Sequence, residues 1–527
     1  MGSYLNPGNE KFFQSVNSEI YVDKTGLISY CNQVINTLQR YLCISRPRRF
    51  GKSVTADMLV AYYSRGCDSE ELFAPFEISQ TDGYEVHRNQ YHVIFLNMQE
   101  FLSRTGSMEA MLSLIKKRVI CDMKREYPET VFFDEQDLIG CMQDLYAETG
   151  IPFVLVIDEW DCVFREYKED DDAQKKYLDF LRDLLKDKGY IVLCYMTGIL
   201  PVKKYGTHSA LNMFDEFSMT FSGTLAKYVG FTEDEVRALC DSYQMDFEET
   251  KKWYDGYHLE HAGSVYNPRS VVSAMRFHSF QYYWNQTETF EALRTYIDMN
   301  FEGLKDDIVE MMNGKNRILV NTGSFSNDMV TFHSKDDVMT LLVHLGYLGY
   351  LSDTGEVFIP NHEILNEYVT AVSNSDWGEV SKALKNSRLA LEAVWNREEE
   401  KVAEAVERAH YENSHLQYHD ENALSYTISL AFYVARNFYT LYRELPTGKG
   451  FADMVFFPKK QYADRPALVI ELKWNQGARG AIEQIKQKND CESLKDYKGN
   501  VLLVGISYDK NTRRHHCIIE EEIWGQG

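Results

Sequence analysis

The sequence lacks any apolar run of the ~20 residues that a membrane-spanning helix needs, and its N-terminus has no secretory signal. A myristoylation signal is also missing, because position 6 is Asn6 where Ser or Thr is required. We therefore expect a soluble protein inside the cell, without a membrane partner.

The ten cysteines form no CxxC pair, which argues against a zinc site or a disulfide framework. Cys43 and Cys194 lie in apolar, strand-like runs, where a thiol behaves as a small buried hydrophobic group. The pattern indicates reduced thiols and a cytoplasmic protein.

Positive charge is scarce, since 56 Lys and Arg stand against 79 Asp and Glu, a net charge of −23. This balance counts against general affinity for nucleic acid, because phosphate binding depends on Lys and Arg. The deficit is uneven: residues 441–527 carry 14 basic and 12 acidic residues, while residues 1–440 carry 42 and 67. A net charge of +2 after residue 441 permits a polynucleotide partner there.

The chain has 527 residues, enough for two or three domains of about 100–200 residues each. The first two hundred residues alternate short apolar runs with amphipathic stretches, which is typical of an α/β fold with a mainly parallel sheet. The predicted strands of this region are 41–45, 92–97, 153–158, 191–197 and 217–221. The 153–158 run is apolar almost throughout, as expected for a central strand covered on both faces.

Helical patterns dominate from residue 230, and the segment 339–351 followed by 356–360 predicts a helix and hairpin of a small winged-helix-like region. Strands return at 452–457, 467–474 and 501–507, with a helix predicted at 480–490. We therefore divide the chain into residues 1–229, 230–400 and 401–527.

A strand runs into the segment RPRRFGKS, residues 46–53, and a helix follows. In a Walker A loop, backbone amides cradle phosphates, the lysine (Lys52) reaches the terminal phosphates and the serine (Ser53) binds Mg²⁺. Arg46 stands where the motif expects its first glycine.

A second strand ends in adjacent acids, as a Walker B motif does. Asp158 would act in the outer shell of the metal and Glu159 would polarise the attacking water. Thr197, at the tip of the next strand, could sense the terminal phosphate. The competing interpretation is a buried strand whose terminal acids cap a helix.

These motifs resemble the bacterial AAA-ATPase-like family, together with Tyr21–Thr25, Gly230–Val236, Trp253–Tyr257 and Tyr266–Pro268. The RPRRFGKS form of the loop is a trait of that family. Its members commonly carry a C-terminal domain of the PD-(D/E)XK nuclease superfamily. The resemblance covers nearly the whole chain and implies a P-loop NTPase domain, a helical and winged-helix-like middle region, and an α/β nuclease-like domain. The residues expected to contact ATP are Arg46, Arg49, Phe50, Gly51, Lys52, Ser53, Val54, Asp158 and Thr197.

The C-terminal strands carry a D…ExK pattern. Glu471 and Lys473 are two residues apart on one strand and so face the same side. Asp453, on the preceding strand, would share a cation with Glu471. These two carboxylates and the Leu472 carbonyl would form an all-oxygen Mg²⁺ site, where Lys473 orients or helps to deprotonate water. The competing interpretation is a solvent-facing salt bridge.

The superfamily resemblance implies two further residues near this site. Glu421 resembles the acid that the first core helix often supplies, and Gln484 resembles the glutamine on the helix after the ExK strand. Lys488 replaces the aromatic residue that often follows that glutamine.

The sequence thus predicts an ATP-binding and ATP-regulated, Mg²⁺-dependent nuclease that acts on nucleic acid, with DNA favoured over RNA. AAA-type ATPases often form rings, so a homo-oligomer is compatible with the resemblance. Two alternatives remain open. One is a nucleotide-dependent signalling switch that binds a partner without cutting it, and the other is an ATP-driven remodeller of protein complexes.

Overall fold

The computed structural model describes the backbone of most of the chain and divides it into two compact units, residues 1–368 and 369–527. The described residues are 2–202, 211–284, 293, 295–297, 299, 301, 303–312, 317–373, 378–412, 428, 431–432, 434–435, 438–447, 450–459, 462–475, 477–487 and 497–524. Among them, the side chains of 306, 372–373, 378–385, 411–412, 443–447, 450–453 and 487 are not described. The predicted boundaries at residues 229 and 400 stay predictions.

The first unit contains a five-stranded, fully parallel sheet in the order β2-β3-β4-β1-β5. Its strands are β1 (Tyr41–Ser45), β2 (His92–Asn97), β3 (Phe153–Asp158), β4 (Ile191–Gly198) and β5 (Asp215–Phe217). Every residue of β3 is buried, as its apolar run predicts for a strand covered on both faces. The predicted parallel α/β sheet is therefore confirmed.

The prediction of a strand at 217–221 is wrong. Strand β5 ends at Phe217, and the Ser218 amide then donates to the Phe221 carbonyl over 2.7 Å. The chain turns back at this point, so the alternating pattern that follows Phe217 does not continue the strand.

Helices surround the sheet, and α3 packs on both β3 and β4. They are α1 (Glu10–Val16), α2 (Gly26–Val34), α3 (Lys52–Tyr63), α4 (Glu70–Phe73), α5 (Tyr84–His87), α6 (Met98–Ser103), α7 (Met108–Glu126), α8 (Leu138–Thr149), α9 (Cys162–Glu166) and α10 (Asp171–Leu185), with 3-10 turns at Glu77–Gln80 and Gly223–Tyr228.

Helices and short strands complete the first unit. They are β6 (Phe231–Thr232), α11 (Glu233–Tyr243), α12 (Phe247–Tyr254), β7 (Tyr257–Leu259), β8 (Gly263–Tyr266), α13 (Pro268–Phe277), α14 (Leu304–Met312), β9 (Ile318–Leu319), a 3-10 turn (Thr322–Ser324), α15 (Lys335–Leu345), β10 (Gly349–Leu351), β11 (Glu356–Phe358) and α16 (His362–Ser373). A capping box between Thr232 and Glu235 starts α11. Strands β10 and β11 form an antiparallel hairpin within the predicted segment, and β9 pairs with β11.

The second unit is built on a mixed sheet in the order β12-β13-β14-β15-β16, in which β14 and β15 are parallel and the other pairs antiparallel. Its elements are α17 (Gly378–Trp395), α18 (Glu399–Glu412), β12 (Tyr439–Thr447), β13 (Gly450–Pro458), β14 (Ala467–Trp474), α19 (Ala478–Gln487), β15 (Gly499–Asp509) and β16 (Arg514–Trp524).

Apolar side chains cover both faces of strand β14. Leu468, Ile470 and Leu472 pack into a core with residues of α17 and α18. Ala467 and Val469 pack into a second core with residues of α19. The sheet therefore has a helical layer on each side.

No helix in the described part of the chain is long and apolar enough to cross a membrane.

Candidate functional site

The first candidate site lies where β1 passes into α3. Gly51 caps the helix in the left-handed conformation, with φ of 91°, which suits glycine. Lys52 is only 5% exposed and donates to the carbonyls of Arg46 and Pro47 over 3.1 and 2.9 Å. The segment 46–51 therefore wraps around the ammonium group. Burial lowers the pKa of Lys52, while Glu159 and Asp158 act to raise it.

Two polar side chains donate to Asp158 at the end of β3, one from the first turn of α3 and one from the end of β2. The Ser53 hydroxyl donates to Asp158 Oδ2 over 2.8 Å, and the Asn97 side chain donates to the same oxygen over 3.2 Å. Burial is the largest cause that raises the pKa of Asp158, followed by the charge of Glu159. A hydroxyl and a carboxylate in contact are oxygen ligands of the kind that Mg²⁺ prefers.

Glu159 directly follows β3 and has a positive φ of 54°, an uncommon conformation for a residue other than glycine. Its carboxylate forms a close ion pair with Arg165 of α9. Arg165 Nε also lies 3.6 Å from Asp161 Oδ2. The Arg165 side chain thus holds Glu159 beside the loop.

A cavity of about 580 Å³ opens over the loop and is lined by Arg49, Phe50, Gly51, Lys52, Ser53 and Val54 together with Glu159. Its volume is in the range of sites for small molecules and cofactors. Apolar and aromatic side chains form another part of its wall: Ile20, Val22, Tyr21, Tyr228, Phe231 and Val272. A cavity that combines such a wall with a phosphate-binding loop can hold a nucleotide.

Arg46 and Thr197 lie outside the lining of this cavity. Arg46 is fully buried, and its guanidinium donates to the carbonyls of Ser45 and Phe217 over 2.9 and 3.1 Å. Burial lowers the pKa of Arg46 to about 10. Thr197 is also fully buried, at the register position opposite Ile44. Arg46, which replaces the first glycine of the loop, therefore joins β1 to β5 through its side chain. Its backbone carbonyl accepts from Lys52.

Two further cationic residues line the cavity: Lys24, which the sequence did not single out, and Arg269. Lys24 forms a 2.6 Å ion pair with Glu235 of the α11 capping box. Arg269 follows Pro268 at the start of α13 and is exposed. Lys24 lies within the Tyr21–Thr25 motif and Arg269 directly follows the Tyr266–Pro268 motif, so the segments that carry the family resemblance were the available signal for both.

The second candidate site lies on β14. The Glu471 side chain is 2% exposed and the Lys473 side chain 14%, and Lys473 Nζ lies 3.7 Å from Glu471 Oε1. The two side chains share one face of the strand, as their spacing predicts. The competing interpretation of a solvent-facing salt bridge does not fit a glutamate that is this deeply buried.

Helix α19 packs closely against the sheet beside Glu471. Glu471 pairs in register with Gly505 of β15. A Cβ at Gly505 would lie 2.6 Å from the carbonyl oxygen of Ala478 and 3.1 Å from the Cβ of Ala481. Only glycine allows the first turns of α19 to approach the sheet at this point. Gln484 lies on the same helix and is half-buried.

The partner carboxylates can be placed only in part. Asp453 belongs to β13, which pairs antiparallel with β14 through Met454–Ile470, Val455–Val469 and Phe456–Leu468, but its side chain lies outside the described residues. Glu421 lies outside them altogether. Among the side chains that are described, no group of three or more His, Cys, Asp or Glu residues is arranged to hold a metal.

Two family models match separate parts of the chain. Residues 11–207 match the family described as predicted AAA-ATPase, and residues 420–517 match the PD-(D/E)XK nuclease superfamily. A curated relative, "Uncharacterized protein in vnfD 5'region" of Azotobacter chroococcum mcd 1, is 26% identical over 288 residues. That match covers 51% of this chain and 51% of the relative, so the chain spans about half the length of the curated relative.

Solved structures of two Aeropyrum pernix proteins are also similar to this chain. The ORC2 protein in ADPNP and ADP complexes has a TM-score of 0.32 at 11% identity, over 69% of this chain and 99% of that chain. The ORC1 protein in complex with DNA has a TM-score of 0.23 at 10% identity, over 72% and 99%.

Proposed function

Because this chain carries an AAA-ATPase-like region followed by a PD-(D/E)XK nuclease superfamily region, we propose that it is an ATP-regulated, metal-dependent nuclease. The observation that carries the nuclease half is the contact between buried Glu471 and Lys473 on one face of β14. A carboxylate and an ammonium group at this spacing can hold a divalent cation and a water molecule beside a phosphodiester.

In the first unit, Lys52 exchanges the carbonyls of Arg46 and Pro47 for the terminal phosphates of ATP. Ser53 and Asp158 fit a Mg²⁺ ion, since their oxygens are already in hydrogen-bond contact. When bound, Mg²⁺ supplies positive charge against the phosphates. Glu159 can orient the attacking water only after its ion pair with Arg165 loosens, so Arg165 restrains hydrolysis.

In the second unit, Asp453, Glu471 and the Leu472 carbonyl would hold the metal. Met454 of β13 pairs with Ile470 of β14, and Asp453 and Glu471 are the next residues along these two strands. The metal would stabilise charge on the reacting phosphate. Lys473 would orient the attacking water, and the superfamily resemblance implies supporting roles for Gln484 and Glu421.

The substrate is nucleic acid, with DNA favoured over RNA. Residues 441–527 carry a net charge of +2, against −25 for residues 1–440, so this stretch repels a polyanionic substrate least. Nucleotide occupancy of the first unit controls cleavage by the second.

The test is cleavage of single- and double-stranded DNA and RNA in Mg²⁺, with and without ATP. Wild type should cut DNA, and ATP should change the rate. Glu471→Gln should abolish cleavage and retain ATP binding, whereas Lys52→Ala should lose ATP binding and the ATP effect. Glu483→Gln, an exposed carboxylate on α19, is the matched control. Wild-type cleavage that Glu471→Gln leaves unchanged would refute the assignment.

A further inference from the structure

Two arginines face the nucleotide cavity from different parts of the chain. Arg49 lies in the loop, and Arg269 lies at the start of α13. The charge of Arg269, after burial, contributes to lowering the pKa of Arg49, so the two guanidinium groups repel each other. A bound phosphate between them would relieve that repulsion.

Both arginines are linked to one buried carboxylate, Glu363 of α16, which is 1% exposed. Arg49 Nη1 donates to the Tyr283 carbonyl over 2.5 Å. The amides of Tyr283 and Trp284 donate to Glu363 Oε1 over 2.5 and 2.6 Å. The acceptor of Arg49 is therefore held in place by Glu363.

The link to Arg269 uses the other oxygen of the same carboxylate. The hydroxyl of Ser270, the residue after Arg269, donates to Glu363 Oε2 over 2.8 Å. The helix cap Asn267 accepts from the amides of Arg269 and Ser270, and its side-chain amide lies 3.5 Å from the Arg48 carbonyl of the loop. The start of α13 is thereby fixed to both the loop and Glu363.

We propose that Glu363 is a positioning residue for nucleotide binding, which sets Arg49 through Tyr283 and Arg269 through Ser270 so that both guanidinium groups contact the phosphates. This inference rests on the proposed ATP site. Arg49 donates to the Tyr283 carbonyl through Nη1, so the carbonyl holds the side chain while the other N–H groups of the guanidinium can donate to a phosphate.

The first test is the affinity for ATP, measured by calorimetry on the full chain. Arg49→Ala and Arg269→Ala should each weaken ATP binding at least about tenfold, since hydrogen bonds to charged groups are the stronger class. Adenosine binding should stay within about twofold. Arg276→Ala is the control, because it removes the same charge from the last turn of α13 and Arg276 does not line the cavity.

The second test separates positioning from direct contact. Ser270→Ala should weaken ATP binding about threefold or more in wild type and have no effect in an Arg269→Ala background. Glu363→Ala should weaken ATP binding as the arginine variants do, and Glu363→Gln, which keeps an acceptor for the two amides, should restore most of the affinity. Should Glu363→Ala fail to fold, the Ser270 and Arg269 cycle carries the same test.

These experiments separate failure of the ATP site from failure of the role proposed for Glu363. A wild-type chain that binds no ATP refutes the proposed function. If the wild type binds ATP but Arg49→Ala behaves like Arg276→Ala, the role of Glu363 is overturned and the ATP site stays intact. Additive effects of Ser270→Ala and Arg269→Ala would have the same meaning.

Discussion

The Ser53 hydroxyl lies 2.8 Å from Asp158 Oδ2, so the first turn of α3 and the end of β3 are in direct contact although 105 residues separate them. Parallel strands bring their carboxyl ends to one edge of the sheet, which is why a loop after β1 meets acids after β3. The Ser53–Asp158 contact is the structural basis for the expected dependence of ATP binding on Mg²⁺.

Loss of either partner should remove that dependence. We expect Ser53→Ala and Asp158→Asn to bind ATP with equal affinity in Mg²⁺ and in EDTA, whereas wild type binds at least about tenfold more tightly in Mg²⁺. Calorimetric titration in both buffers is the measurement. Asp183→Asn, on the exposed face of α10, should behave as wild type. A Mg²⁺ effect that survives in both variants would contradict the assignment.

Two glycines allow a matched test of packing against the loop. Gly346 and Gly150 both cap helices in the left-handed conformation, with φ of 86° and 68°. A Cβ at Gly346 would lie 2.7 Å from Pro47 Cβ, while a Cβ at Gly150 would meet nothing within 4 Å.

Gly150→Ala should therefore lower the free energy of unfolding by only about 1–2 kcal/mol, the strain of the left-handed conformation. Gly346→Ala should cost about 1–3 kcal/mol more through the clash, and it should weaken ATP binding because Pro47 belongs to the phosphate loop. Thermal unfolding and ATP titration of both variants provide the comparison. Equal stability of the two variants would show that Gly346 and Pro47 are not in tight contact.

The buried Glu363 predicts a pH dependence of stability. Desolvation is the main cause that raises the pKa of Glu363 from 4.5 to about 7. Between pH 4.5 and pH 7 the folded state therefore keeps a proton that the unfolded state releases. The contribution of Glu363 to the free energy of unfolding is full below pH 4.5 and is lost as the pH rises through 7. The total change is on the order of 3 kcal/mol.

Glu363→Gln should flatten this dependence. We expect the decline in unfolding midpoint of the first unit from pH 5 to pH 8 to be smaller in this variant than in wild type. Glu71→Gln, an exposed carboxylate of α4, should retain the wild-type slope. Calorimetric unfolding at several pH values measures the dependence of the midpoint on pH. If this dependence has the same slope in all three proteins, Glu363 is not its source.

The sequence predicted those features that depend on local pattern. Strand β3 begins and ends where its apolar run predicts, because such a run is visible in a short window of sequence. The same holds for β14, whose alternation sets Glu471 and Lys473 on one face.

Contacts between distant segments could not be predicted in this way. The partners Arg49 and Tyr283 are 234 residues apart, and no local periodicity encodes their meeting. Arg46 appeared to be a phosphate ligand because of its place in the motif, yet its guanidinium is buried against β5. Burial of a charged side chain by a neighbouring strand depends on sheet order, which a single motif does not specify.

The central claim is that Asp453 and Glu471 hold one divalent ion, and binding of Mn²⁺ to the nucleotide-free chain tests it most directly. Electron paramagnetic resonance titration should count a bound Mn²⁺ in wild type that disappears in both Asp453→Asn and Glu471→Gln and persists in Glu483→Gln. Loss of the ion should coincide with loss of cleavage. An unchanged count of bound Mn²⁺ in Asp453→Asn and Glu471→Gln would contradict the metal site and, with it, the nuclease.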